Sequence, residues 1–175
     1  MNSMSTSLAS RITLAAFDVD GVMTDGSITY TSHGEETKNF NIRDGLGIKL
    51  LHKAGIKVAI ITGRHSPMVK QRALDLGIHD VVQGREDKLC ALIELANEHS
   101  LELEDIAYMG DDLPDLAAVS SAGLGACPSN ADNAVKEVSN WISSRTGGDG
   151  AVREFAEALL IAQGKWRHII ASFSP

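Results

Sequence analysis

A chain of 175 residues, 43% of them hydrophobic, is sized for one domain with one sizeable core. Its net charge of -7 and pI near 5.3 argue against a nucleic-acid or membrane-surface role, which ordinarily shows a basic patch. Met1 to Arg11 lacks a basic start followed by an apolar stretch, and no run approaches the ~18 apolar residues of a membrane span, so a cytoplasmic protein is expected.

In chain order, the apolar segment Ile12 to Phe17 reads as a buried strand that stops at Asp18-Val19-Asp20-Gly21, two carboxylates two residues apart. A buried parallel strand delivers its functional groups at its carboxyl end, and Gly21 supplies a sharp turn there. Asp-rich turns also serve purely structural ends, so the pair gains weight only from the motifs further along the chain. Ser27 to Ile42 is Thr/Tyr-rich around a Ser32-His33-Gly34 turn and reads as a β-hairpin flap. Helix signals cover Asp44 to Ala54, Pro67 to Leu76 and Asp87 to Glu98. Between them a strand-like run, Lys57 to Ile61, ends at Thr62-Gly63-Arg64, and another, His79 to Gly84, precedes Lys88. A further run, Asp105 to Met109, ends at Gly110-Asp111-Asp112. Leu89, Leu92, Ile93 and Ala96, and later Val152, Phe155, Ala156, Leu159 and Leu160, recur at helical spacing and are expected in the core. Strands alternating with helices predict an α/β fold, a doubly wound Rossmann-like parallel sheet with helices on both faces. No linker, repeat or low-complexity segment divides the chain. It reads as a single domain with an extension over 1–11 and a tail over 165–175. Cys90 and Cys127 show no metal-ligand spacing and are expected as buried free thiols. The six histidines include no His-x-x-x-His pair, although His65 lies near enough to the strand end to touch a ligand.

Asp18/Asp20, Thr62, Lys88 and Asp111/Asp112 therefore fall, in that order, at strand ends or just after one. Their chemistry is mutually consistent. A phosphate monoester dianion repels nucleophiles, so its site must cancel charge, position the ester and protonate the leaving oxygen. Mg2+ favours one or two carboxylates, a carbonyl, waters and the phosphate itself, a list met by Asp18, the carbonyl of Asp20, and Asp111. Asp18 is then the nucleophile that forms an acyl phosphate. Asp20 is the general acid and later the base. Thr62 donates to a phosphoryl oxygen, and Asp112 and Asp115 hold metal-bound waters or orient Lys88. Arg64, next to Gly63, suits a carboxylate through a bidentate contact. Arg72 lies two helical turns further on, and Arg43 is a further source of positive charge.

These four motifs resemble those of the haloacid dehalogenase superfamily of aspartyl phosphatases. The stretches Asp18 to Gly26, Phe40 to Ile48, Thr62-Gly63-Arg64, Gly110-Asp111-Asp112 and Gly147 to Glu154 resemble, more narrowly, the bacterial 3-deoxy-D-manno-octulosonate 8-phosphate phosphatase family, over roughly Ile12 to Lys165. The chain departs from that family at Asp149, where a basic residue is usual, and beyond Lys165. The resemblance implies a Mg2+-dependent phosphatase of a sugar-acid phosphate in lipopolysaccharide synthesis. It also implies a homotetramer assembled through the flap hairpins, and a substrate or interface role for Arg43 and Asp44.

Neither gap between the early motifs has room for a cap domain, so the site is expected to be open. An open site suits a macromolecular substrate or, as the preferred reading, a small one enclosed by a neighbouring subunit, with Trp166, Ile169, Ile170 and Phe173 either a cover for that site or simply a disordered end. A signalling receiver domain also gathers Asp, Thr and Lys around Mg2+, but its phosphoryl group goes to an aspartate on the third strand, and the motif order here differs. A non-catalytic scaffold relative would be expected to lack Asp18, Asp20 or Lys88, and none is missing. A nine-carbon ketodeoxy acid 9-phosphate is the alternative substrate. Arg64 favours the eight-carbon one, since an acidic residue is expected at that position in the nine-carbon group.

Overall fold

The computed structural model describes residues 3–173, so the readings for Met1, Asn2, Ser174 and Pro175 lie outside it. Six strands form one sheet: β1 (Leu14–Phe17), β4 (Lys57–Thr62), β5 (Asp80–Gln83), β6 (Ile106–Met109), β7 (Leu124–Cys127) and β8 (Trp141–Ile142). Their order is β5-β4-β1-β6-β7-β8 and every pairing is parallel. The chain winds outward from β1 through β4 to β5, then returns to the other side of β1 through β6. The order therefore reverses at β1, and in open α/β sheets the crevice at the carboxyl ends beside such a reversal is where ligands bind.

All four residues of β1 are buried, as in a sheet covered on both faces. Ala15 and Phe17 face one layer and Leu14 and Ala16 the other, the strand's period of two. On the Phe17 side pack α2 (Ile42–Lys53), α3 (Pro67–Leu76) and α7 (Ala151–Ala162). There Phe155 meets Phe17 and Trp141 edge to face, with ring centroids 5.6 and 5.8 Å away. On the opposite side lie α4 (Lys88–His99), α5 (Leu116–Ser121) and α6 (Asn133–Val138). Each fully buried aliphatic or aromatic side chain here contributes roughly 1.5–3 kcal/mol.

Local chemistry sets the helix ends. Asn41 accepts the Arg43 N–H at 2.8 Å and starts α2 two residues before the expected Asp44. Pro67 opens α3 and Gly77, at φ 72°, closes it. The stripe expected on α4 is rotated slightly: Ile93 is exposed, and Ala91 and Leu95 are buried instead. Cys127 is buried but Cys90 is exposed, contrary to expectation, because it sits on the outer face of α4.

The flap is a separate two-stranded hairpin, β2 (Thr29–Tyr30) and β3 (Glu36–Thr37), closed by the Thr31 N–H donating to the Glu35 carbonyl at 2.8 Å. A short helix α1 (Thr6–Ala9) docks on α7, where Gln163 donates to the carbonyls of Ala9 and Ile12. The tail forms α8 (Trp166–Ala171), which buries Ile169 in its own core, while Ile170 and Phe173 stay exposed.

Candidate active site

The carboxyl end of β1 places Asp18 in the sheet's central crevice, anchored by its N–H to the Met109 carbonyl at 3.0 Å. The chain then turns tightly. The Met23 and Thr24 N–H groups both donate to the Val19 carbonyl, and the buried Thr24 hydroxyl accepts from the N–H of Gly21 and Gly26. Gly21 has φ 93°, and a Cβ there would stand 2.0 Å from the Asp111 carboxylate, so both conformation and space require glycine.

Lys88, the first residue of α4, reaches between two carboxylates. Its Nζ lies 2.9 Å from Asp18 Oδ1 and donates to Asp115 Oδ1 at 2.6 Å. Burial alone would push the ammonium pKa down, but Asp18 and Asp115 outweigh that and hold it above its ordinary value. Asp115 is fully engaged: Oδ1 also accepts from Tyr108 at 2.8 Å, and Oδ2 accepts the N–H groups of Asp111 and Asp112 at 3.0 and 3.3 Å. These contacts place it behind Lys88 and Asp111, and its carboxylate lies within 4.8 Å of those of Asp18 and Asp111. Asp111 is different, because its Oδ1 is buried without a hydrogen-bond partner.

The clustered carboxylates of Asp18, Asp111 and Asp115 face one ammonium, Lys88, and when all three are ionised they exceed it by two negative charges, the charge of one divalent cation. Burial first, then the neighbouring carboxylates, raise both Asp18 and Asp111 to about 7. An unpartnered buried oxygen and surplus negative charge fit an oxygen-loving cation such as Mg2+.

The surrounding crevice, about 300 Å³, brings together Asp18, Asp20, Thr62, Gly63, Arg64 and Lys88 with Asp111, Asp112 and Asp115. Asp112 spends one carboxylate oxygen on the Leu113 N–H at 2.8 Å. Arg72 and Arg43 are not there. Arg64 precedes α3 rather than riding on it, so helical spacing does not carry Arg72 to the same place. Instead Arg72 donates to the Asn41 carbonyl at 3.1 Å and stacks over Phe40, and both arginines line a hollow on the α2–α3 face. His65 packs over Gly84 and is not among the crevice residues. Asp44 is a buried cap: it accepts the N–H groups of Gly150 and Arg153 at 3.3 and 2.8 Å, starting α7. The Gly147 to Glu154 stretch likewise braces the first turn, the Gly148 N–H donating to the Val22 carbonyl at 3.0 Å.

The sequence reading missed Glu86, which lines the crevice, and four residues that hold the lining side chains or the turn beside them: Thr24, Tyr108, Glu36 and Lys38. The last two are two residues apart, one on β3 and one just after it, a spacing that in extended chain puts both side chains on one face, and this was the available signal.

A model of haloacid dehalogenase-like hydrolases matches residues 75–155. A 3-deoxy-D-manno-octulosonate 8-phosphate phosphatase of Haemophilus influenzae is 43% identical over 148 residues, 85% of this chain and 82% of that protein. The chain belongs to that phosphatase family. The Moraxella catarrhalis phosphatase of the same family, solved with magnesium, phosphate and the 3-deoxy-D-manno-octulosonate sugar acid, superposes with TM-score 0.95 at 48% identity, over 97% of each chain. A cobalt-bound form of the Haemophilus influenzae phosphatase superposes with TM-score 0.87 at 40% identity, over 91% of this chain and 93% of that one. Two different divalent cations in family members agree with the charge excess between Asp18 and Asp111.

Proposed function

We propose that this phosphatase hydrolyses 3-deoxy-D-manno-octulosonate 8-phosphate to the free sugar acid and phosphate, with Mg2+, in the cytoplasm and in the service of lipopolysaccharide synthesis. The observation that carries the mechanism is the buried Asp18 carboxylate, 2.9 Å from Lys88 and beside the unpartnered oxygen of Asp111, at the point where the sheet order reverses. Asp18, the Asp20 carbonyl and Asp111 would hold Mg2+, which supplies charge neutralisation for the phosphoryl group.

Asp18 attacks phosphorus as the bond to the sugar oxygen breaks, giving an aspartyl phosphate on the enzyme. Asp20 protonates the departing oxygen, then takes a proton from the water that hydrolyses the acyl phosphate. Lys88 pairs with the phosphoryl oxygens, held on line by Asp115, which Tyr108 and two backbone N–H groups fix in turn. Thr62 donates its hydroxyl to the phosphoryl group. Arg64, at the rim, binds the sugar-acid carboxylate.

Among the described residues no cap covers the crevice, and beside it the flap exposes Tyr30 and Ile28. A homotetramer that pairs flaps would cover these side chains and close the site around a small substrate. The test is phosphate release with Mg2+ from the eight-carbon and nine-carbon acid phosphates side by side, with Asp18→Asn as the contamination control. Preference for the eight-carbon ester, lost in the variant, supports the reading; release from neither ester contradicts it.

A further inference from the structure

The flap sends a cation into the crevice that the chemistry above does not use. Lys38 directly follows β3, and its side chain is only 1% exposed although the hairpin around it is open to solvent. Its ammonium touches Asp20 Oδ1 and lies 3.3 Å from Glu36 Oε1. Glu36 in turn accepts from Arg64 Nη2 at 2.8 Å, and Arg64 Nε stands 3.9 Å from Asp20 Oδ2. The four groups form a closed ring of alternating sign: Asp20, Lys38, Glu36, Arg64. Taking an ammonium out of water is costly unless it is paired, so Lys38 is held where its two carboxylates are. Among the described residues, the carboxylate of Asp20 has Lys38 as its hydrogen-bonded partner, with Arg64 further off.

We propose that Lys38 is the positioning residue of Asp20, making the flap part of the proton-transfer apparatus. This inference rests on the functional reading above and deepens it. A general acid works only within hydrogen-bond reach of the leaving oxygen, and displacement by about 1 Å can cost about a hundredfold in rate. With Oδ1 engaged by Lys38, Oδ2 is the oxygen left to deliver the proton when Asp20 acts as the acid. As the P–O bond to the sugar breaks, its electron pair stays on the leaving oxygen, which takes that proton. The hydrolytic water later returns a proton to the same oxygen, and Lys38 keeps its own throughout. Glu36 is the second anchor that stops Lys38 from swinging out with the flap.

The test compares kcat/KM for Lys38→Met, Lys38→Arg and Glu36→Gln with Mg2+ on three esters: the sugar-acid phosphate, a plain alkyl phosphate without a carboxylate, and p-nitrophenyl phosphate. kcat/KM reports events up to departure of the leaving group, and the nitrophenolate departs without needing a proton. Lys38→Met is expected to lose about 10- to 100-fold more on both alkyl esters than on the aryl ester, with Lys38→Arg recovering most of the difference. Glu36→Gln, which keeps Lys38, is expected to show the same selectivity at smaller size and carries the test if Lys38→Met does not fold. Equal losses on all three esters would overturn the proposal. So would a loss confined to the sugar-acid ester, which would make Lys38 a substrate contact. A wild-type protein inactive on every ester would instead overturn the functional reading itself.

Discussion

Asp44 and Asp111 are both withdrawn from solvent, and burial raises the pKa of each, yet they have opposite surroundings. Asp44 gives both oxygens to backbone N–H groups of the Gly150 to Arg153 turn and holds α2 to α7. Asp111 keeps one buried oxygen unpartnered and faces the carboxylates of Asp18 and Asp115. A satisfied buried carboxylate is part of the scaffold, whereas an unsatisfied one among like charges costs stability and persists because something else binds there. The two regions meet at the Gly147-Gly148 backbone, which lies against the Asp18-to-Asp25 turn.

The largest expected effect that would break this contrast lies in the crevice. Asp111→Asn should reduce Mg2+-dependent phosphate release to background while leaving the melting temperature unchanged or higher, because it removes a repelled charge. A variant that melted well below wild type would make Asp111 structural. Asp44→Ala should do the reverse: stability falls by about 2 kcal/mol as two N–H groups lose their acceptor, or roughly 4–8 °C in a chain of this size, while turnover per folded molecule persists in the cold.

Acidity sharpens the same contrast. Because Asp18 and Asp111 rise from 3.8 to about 7, the folded chain between those values holds protons that the unfolded chain has released. Their contribution is therefore most favourable below the unfolded value and is lost as pH climbs through about 7. A divalent cation relieves that repulsion, so Mg2+ should raise the melting temperature more near pH 8 than near pH 5, and by much less at either pH in Asp111→Asn. A pH-independent shift would argue against cation binding between these carboxylates.

A smaller effect joins the two regions. A Cβ on Gly147 would fall 1.7 Å from the Gly21 carbonyl oxygen. Gly147→Ala should then cost about 1–3 kcal/mol and also lower kcat, since the shift passes into the turn that carries Asp20. Loss of stability with kcat unchanged would mean that the brace and the crevice are independent.

The sheet and the four motifs were legible in the sequence because each rests on local pattern: an apolar run, a turn glycine, and a polar residue at the strand end. Asp18, Thr62, Lys88 and Asp111 meet because parallel strands align their carboxyl ends. Arg72 was misplaced because helical spacing was extended back to Arg64, across Ser66 and the proline that begins α3. For Asp44 the resemblance implied a substrate or interface role, and the sequence could not weigh against it a cap that joins segments 106 residues apart, which leaves no local trace. Lys38 was passed over because a lysine on an exposed hairpin is ordinarily solvated, and only the tertiary fold brings it to Asp20.

The most direct test of the central claim is acid quenching during turnover of substrate carrying labelled phosphate, followed by peptide mapping of the protein. Label on the peptide containing Asp18, absent from Asp18→Asn, is the predicted result. Full turnover of substrate with no label on the protein under quench conditions that preserve acyl phosphates, or label on a different residue, would contradict it.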